Sequence, residues 1–399
     1  MLKFFNLNKI YQYQLICLAF LLPLTVAGSN IIILSIILIW IFSGDYKSKF
    51  EQIYSSKLLI VSILFFSIHV LGLLWTEDTG WGLHIVKKMW YFLLLLPVLY
   101  TIVEIKYTKH YVSSFLLAIT ITEILSYLVW FEIIEPFKNA TVINPTPFMS
   151  HVSYNPILAF AIYLAVHKIL YNEKLSRLQL ILYSFFTISM SINMFITGGR
   201  AGQVMFFAML VILVFQYFRS QKIKAILGVL ILLPSIFFAA YQTSSIFHSR
   251  VDVAIDNVVN YSQNKNTSVG ERITFAINSW EIIKENPLIG VGTGDFPNEY
   301  KKVNSINTPQ LIPTTNPHNM YTLVTVQLGV VGLLSMLAIF YTQIKLSLQN
   351  NNKFFRDVGI TLPLLFLVIM WSDSYLLGHY TTLLFIFFSS FLYKNFEEN

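Results

Sequence analysis

Apolar residues in this chain fall in long unbroken runs, separated by short polar stretches, with little of the mixed spacing of a soluble helix or strand. A helix that crosses a bilayer core needs about 20 such residues. The runs predict spans near 12–27, 30–43, 58–75, 89–103, 111–133, 153–170, 178–197, 201–218, 223–241, 318–341, 357–373 and 376–393. Only Gly28-Ser29-Asn30 separates the first two, which read as a tight helical hairpin. The expectation is an all-α, polytopic integral membrane protein, with about 12 transmembrane helices forming one membrane domain over residues 1–399.

The polar stretches set the orientation. Stretches 45–57, 104–110, 167–177, 219–224 and 345–356 carry clustered Lys and Arg, whereas 76–78, 137–150 and 373–375 are poor in them. Short basic loops stay in the cytoplasm, so both termini are expected there. Lys87 and Lys88, at the outer end of the fourth span, are the exception. The apolar run from Leu15 to Val26 is followed by no small-x-small cleavage site, so it does not read as a cleaved signal peptide.

One connection is exceptional: residues 242–317, between the ninth and tenth spans, form a large loop on the extracytoplasmic side. Within it Ser268-Val269-Gly270-Glu271 reads as a capping box, followed by Ile273, Ile277, Trp280 and Ile283 on one helical face. Pro287 stops the run. An amphipathic helix of about four turns, on or near the membrane surface, is predicted there.

Composition agrees. Of 399 residues, 55% are hydrophobic and 12% charged, against roughly 25% charged in soluble domains. The net charge of +7 sits in clusters that topology explains, so it gives no reason to expect nucleic acid. The single cysteine, Cys17, rules out a disulfide framework and a thiolate metal cluster. No Asp-x-Asp pair and no His/Cys/carboxylate cluster occurs, so neither a catalytic metal nor a cofactor is expected.

Three places put strongly polar residues at the same membrane face. Thr197-Gly198-Gly199-Arg200-Ala201-Gly202 is the whole connection between two spans. Its glycines allow close backbone approach, and its Arg offers a planar fork that suits phosphate oxygens; a tight turn with a snorkelling Arg is the alternative. Gly270-Glu271-Arg272 opens the amphipathic helix, where a cation is poorly placed for the macrodipole unless an anion binds; a solvated surface Arg is the alternative. Asn316-Pro317-His318-Asn319 enters the tenth span, with Asn316 as the expected cap and Pro317 as the first helical residue. His318 would then lie in the first turn, where a neutral imidazole suits a general base or merely caps the helix.

Weaker signals remain. Gly290-Val291-Gly292-Thr293-Gly294 looks like a phosphate loop, but no Gly-Lys-Ser/Thr follows, and a turn is the simpler reading. Glu123 lies in mid-span, where a carboxylate is functional or paired by default. Gly199, Asn319, His151 and Lys88, with Lys87 and Asp373, could line a site at the outer face.

Taken together these residues resemble the O-antigen ligase family, which shares a membrane core with Wzy-type polysaccharide polymerases. The resemblance rests on Gly-Gly-Arg-Ala-Gly between spans, on Gly-Glu-Arg followed by Trp280 and Asn-Pro-Leu-Ile-Gly-Val-Gly, and on Asn-Pro-His-Asn. It covers residues 190–340; the N-terminal half agrees in hydropathy only. It implies a metal-independent, inverting glycosyltransferase of the GT-C type in the bacterial inner membrane, its active site facing the periplasm. The implied donor is a glycan on undecaprenyl diphosphate, and the implied acceptor is a lipid A–core sugar hydroxyl in lipopolysaccharide biosynthesis. Arg200 and Arg272 would bind the diphosphate, His318 would be the base, and membrane lipids would surround the bundle.

Rival readings use the same residues. A Wzy-like polymerase would take a second lipid-linked glycan as acceptor, and a protein O-glycosyltransferase a Ser or Thr side chain. The lack of a further domain after Tyr393 speaks against the protein-modifying branch. A flippase for the lipid-linked glycan would show paired halves and several intramembrane charges, which this pattern lacks.

Overall fold

The computed structural model describes residues 7–172 and 174–395, and among them every regular element is helical. The N-terminal part holds α1 (Leu7–Leu21), α2 (Val26–Phe42), α3 (Tyr46–Ser55), α4 (Lys57–Leu71), α5 (Thr79–Lys88), α6 (Leu96–Ile102) and α7 (Thr108–Trp130). Next come α8 (His151–Tyr171), α9 (Arg177–Ile196), α10 (Arg200–Tyr217) and α11 (Lys222–Thr243). The large loop contributes α12 (Ser245–Val259), α13 (Ser268–Glu285) and α14 (Phe296–Asn307). The chain then returns through α15 (Met320–Gln349), α16 (Lys353–Ile369) and α17 (His379–Leu392).

Eight helices of the described residues are long and apolar enough to cross a membrane, or nine if α2 and α3, bent by 116°, count as one span. α1, α16 and α17 are helical too but shorter, at 15, 17 and 14 residues. The spans pack as a bundle in which α8 lies on α10, α1 on α7, and α15 on both α4 and α16.

Several boundaries differ from expectation. The first break falls at residues 22–25, and Gly28 to Asn30 lie inside α2. Pro23 cannot continue α1 because it lacks an N–H, and Thr25 caps α2 by accepting from the Gly28 N–H at 3.3 Å. The fourth span begins at Thr79, and a π-turn over Tyr91–Leu95 links α5 to α6. Lys87 and Lys88 therefore end α5 part-way along a continuous apolar run. Glu123 is buried in α7, and neither of its oxygens is hydrogen-bonded. Nearby Tyr154, Asn193 and Ser126 bond each other instead.

The Asn286–Gly294 segment has a structural duty. At Gly329, with φ 62° and ψ −160°, α15 breaks, and only glycine takes that conformation readily. A break inside a span strands two N–H donors and two carbonyls, which are costly in a low-dielectric bundle. Here the loop exchanges bonds with the break. Val291 and Gly292 donate to Val326 O and Gln327 O at 2.9 Å each, while Val330 and Val331 donate to Pro287 O and Leu288 O at 2.9 and 3.2 Å. Asp295 then ties this loop to the start of α5, accepting from the N–H groups of Glu77 and Asp78 at 2.9 and 2.8 Å. The glycine-rich stretch is thus a turn that completes a broken helix.

In the large loop, α13 starts one residue earlier than the capping box predicts. Thr267 is the cap, accepting from the Gly270 N–H at 3.0 Å, so Ser268 is the first helical residue. α13 packs on α14 and α15 through Phe275, Asn278 and Ile282, whereas Ile277 and Trp280 of the predicted apolar stripe face outward. Two of the inward polar groups are satisfied, Asn278 donating to Thr308 at 2.9 Å and Thr274 to the Gly270 carbonyl at 2.9 Å, while the Ser279 hydroxyl has no partner among the described residues.

Candidate active site

Three guanidiniums gather where α10, α12 and α13 meet. Arg200 opens α10 at the end of a turn that Asn155 of α8 clamps. Thr197 Oγ1 donates to Asn155 Oδ1 at 2.9 Å, and Asn155 Nδ2 donates to the Gly199 carbonyl at 3.2 Å. A Cβ on Gly202 would lie 2.0 Å from the Asn155 Cβ, so only glycine lets α10 approach α8 this closely. The glycines of this motif serve that contact and so set where Arg200 starts.

Arg200 reaches α13, its Nη2 donating to Ser268 Oγ. Arg272 folds back over the same residue, its Nη1 donating to the Ser268 carbonyl at 2.9 Å. One serine therefore receives both arginines. The third member, Arg250 of α12, was not singled out from the sequence. Its Nη2 lies 3.1 Å from where a Cβ on Gly198 would stand, on the turn that precedes Arg200. Arg250 and Arg272 both act electrostatically on Arg200, and Arg250 acts on His151 at the start of α8. Among the described residues none of the three arginines pairs with a carboxylate.

The second half of the site sits beside α13. His318 lies outside α15, which starts at Met320 with Asn319 as its cap, accepting from the Thr322 N–H at 3.1 Å. The expected start at Asn316-Pro317 is thus corrected, and the reason is local. Asn316 spends its side chain elsewhere, accepting from the His318 N–H at 3.0 Å and from Ser374 Oγ at 2.8 Å, and donating to Asp373 Oδ1 at 3.1 Å. These bonds hold His318 at a left-handed φ of 52°, uncommon for a residue with a side chain and frequent at functional sites.

His318 Nδ1 lies 3.3 Å from Asp373 Oδ1, close enough for an ion pair though not aligned as a hydrogen bond. Burial pushes the Asp373 carboxyl up, but His318, the Ser374 N–H and Asn316 outweigh it and hold the group below the usual carboxylate range. The imidazole also stacks on Phe275 of α13, with ring centroids 6.2 Å apart. Tyr375, pushed up to about 12 chiefly by burial, is a neutral hydroxyl in this neighbourhood and feels both Asp373 and Arg272.

Of the residues expected to line the site, Gly199, His151 and Asn319 lie in these connected segments. Lys88 is exposed in the last turn of α5. Among the described residues no three His, Cys, Asp or Glu side chains come together as a metal ion requires.

Residues 185–337 match a family model described as O-antigen ligase. Over that stretch this chain is similar to the O-antigen ligase family. The family's members are membrane glycosyltransferase-like ligases and polymerases. The domain holds Arg200, Arg250, Arg272 and His318, while His151 and Asp373 come from outside it. The chain is also 27% identical over 222 residues to an uncharacterized protein of Haemophilus influenzae, covering 52% of this chain and 54% of that protein. It spans about half the length of that curated relative.

Proposed function

We propose that this chain is a member of the O-antigen ligase family that transfers a glycan from undecaprenyl diphosphate to a lipid A–core sugar hydroxyl, without a metal and with inversion, at the periplasmic side of the inner membrane. The observation that carries this reading is the cluster of three guanidiniums with no acidic partner beside the His318–Asp373 pair. Unopposed arginines at one place fit an anion of high charge, and their planar forks fit diphosphate oxygens two at a time.

In this reading Arg200, Arg250 and Arg272 hold the diphosphate and stabilise the charge it gains as it leaves. The acceptor hydroxyl attacks the anomeric carbon from the side opposite the diphosphate. One C–O bond to the diphosphate breaks, one glycosidic C–O bond forms, and the hydroxyl proton moves to His318. With Nδ1 turned to Asp373, Nε2 is the nitrogen left to face the acceptor, and Asp373 stabilises the imidazolium that results. The large loop 242–317 lies in the periplasm, and the bundle has a GT-C-type architecture.

The test is transfer by the purified protein. Labelled undecaprenyl-diphosphate glycan is offered with lipid A–core or with excess donor alone. Label on lipid A–core supports the ligase; lengthening of the donor glycan instead reassigns the protein as a polymerase. Movement of lipid-linked glycan across sealed vesicles with no new glycosidic bond would overturn the enzyme reading.

A further inference from the structure

We infer that the opposite end of the bundle holds a second binding site, one for the phosphate headgroup of an anionic membrane phospholipid. A cavity of about 810 Å³ opens there between the starts of α7, α9 and α16 and the end of α8. It is separate from the arginine cluster: α8 runs 21 residues from His151 to Tyr171, which sets the two ends about 30 Å apart. Lys109, His110, Lys168, Lys174, His167 and Lys353 line the cavity, and among the described residues no Asp or Glu does.

The charges are unevenly engaged. Lys353 pairs with Asp357 at 3.1 Å and lies over the Tyr171 ring at 3.8 Å, and His167 reaches the same Asp357 at 3.4 Å. Lys168 is held by Ser113 at 3.3 Å and by Tyr183. Among the described residues, Lys109, Lys168 and Lys174 pair with no carboxylate. Two buried hydroxyls on the wall, Thr108 Oγ1 and Tyr171 Oη, have no hydrogen-bond partner. Buried hydroxyls are nearly always satisfied, so these two point to a missing ligand with acceptor oxygens.

A phosphodiester supplies such oxygens and a charge for the lysines. Beside polar Ser113, Asn172, Gln179 and Asn352, the wall has an apolar part, with Leu164, Phe354 and Phe355, which suits the glycerol and first methylenes of a lipid better than free phosphate. Basic pockets between spanning helices on the cytoplasmic side are known to take anionic headgroups, and this end carries the short basic connections 104–110, 167–177 and 345–356. The inference is independent of the transferase reading.

The experiment uses the full chain in neutral detergent, with bound lipid counted by native mass spectrometry. Phosphatidylglycerol, phosphatidylethanolamine and soluble glycerol phosphate are titrated separately. Phosphatidylglycerol is expected to bind saturably and at least tenfold more tightly than either of the others. Each neutralised lysine should weaken it about fivefold, so Lys109→Gln/Lys174→Gln should lose about 25-fold, while Lys109→Arg/Lys174→Arg retains binding. Should the Gln pair misfold, Lys174→Gln alone gives the same comparison. Equal binding of phosphatidylethanolamine, undiminished binding by the Gln variants, or equally tight glycerol phosphate would each overturn the lipid-headgroup assignment.

Discussion

Replacing Asp373 by Asn isolates the electrostatic part of the His318–Asp373 pair while keeping its shape. Asn can still accept from the Ser374 N–H, which meets Oδ1 at 2.7 Å, so the turn should persist. What is lost is the negative charge 3.3 Å from His318 Nδ1. Two unit charges at that distance attract by about 5 kcal/mol at an effective dielectric of about 20 and by about 1.3 kcal/mol in water. The side chains are 38% and 24% exposed, so solvent screening puts the value in the lower part of that range, at about 1–3 kcal/mol. If the imidazolium forms only as the acceptor proton moves, that loss falls on the transition state and slows transfer by about five- to hundredfold. The assay is single-turnover transfer with saturating donor, beside equilibrium binding of undecaprenyl diphosphate. kcat should fall while donor affinity stays within about twofold. Combining Asp373→Asn with His318→Ala should add almost nothing to His318→Ala alone, because one residue acts through the other. An unchanged rate in Asp373→Asn, or full additivity of the two losses, would refute this division of roles.

Arg200→Lys and Arg272→Lys keep charge but lose the two-pronged donor, and each should weaken undecaprenyl diphosphate binding about ten- to hundredfold, with Arg250→Gln losing about tenfold. Wild-type transfer in both Lys variants, or full loss of transfer with EDTA, would refute the arginine clamp. Asp373 titrates below the usual carboxylate range in the folded protein, so its stabilisation is present above about pH 4 and is lost as pH falls through the lower folded value; acid unfolding of Asp373→Asn should lack that component. Gly329→Ala would set a Cβ 2.2 Å from the Leu288 backbone at a φ of 62°, and thermal unfolding should register at least ~2 kcal/mol of lost stability. For orientation, exposed Cys17 is first replaced; cysteines at Gln263 and at Ser305, which is exposed beside buried Asn304, should then react with an impermeant reagent from outside and one at Asn172 should not, and outside labelling of 172 would reverse the topology.

Much of this was readable before the fold was known, because a charge at the end of an apolar run is costly enough to stand out. Arg200 and His318 appear in that way, and Arg272 by its place at the start of the amphipathic helix, where the macrodipole disfavours a cation. Arg250 did not, since it follows His248 and Ser249 in an ordinary polar stretch where nothing local marks it. Its only signal was its place early in the large loop, on the same side as the other two. The start of α15 was misplaced because Asn316 and Asn319 both offer a cap; the choice rests on contacts to Asp373 and Ser374 that local sequence does not encode. The stripe of Ile277 and Trp280 was legible as a stripe, but apolar spacing cannot say whether protein or lipid covers it. α13 turns its Phe275 side to the protein.

The glycine-rich segment bears most on how the site is held. Read alone, residues 290–294 suggest a cradle for phosphate, yet the N–H groups of Val291 and Gly292 are spent on carbonyls of α15. They are not available to an anion. Their effect is to let α15 break at Gly329 without stranding polar backbone, so its first turns, from Met320 to Leu328, take a direction of their own. That short limb packs on α13, and its cap Asn319 directly follows His318, whose ring stacks on Phe275. α13 in turn brings Ser268 and Arg272, one turn apart, to meet Arg200. Two labours are therefore divided between neighbouring motifs. Glycines and backbone bonds fix the angle between α15 and α13, and guanidiniums carry the charge. A change in the first group should disturb folding and transfer together, whereas a change in the second should spare folding and weaken the anion.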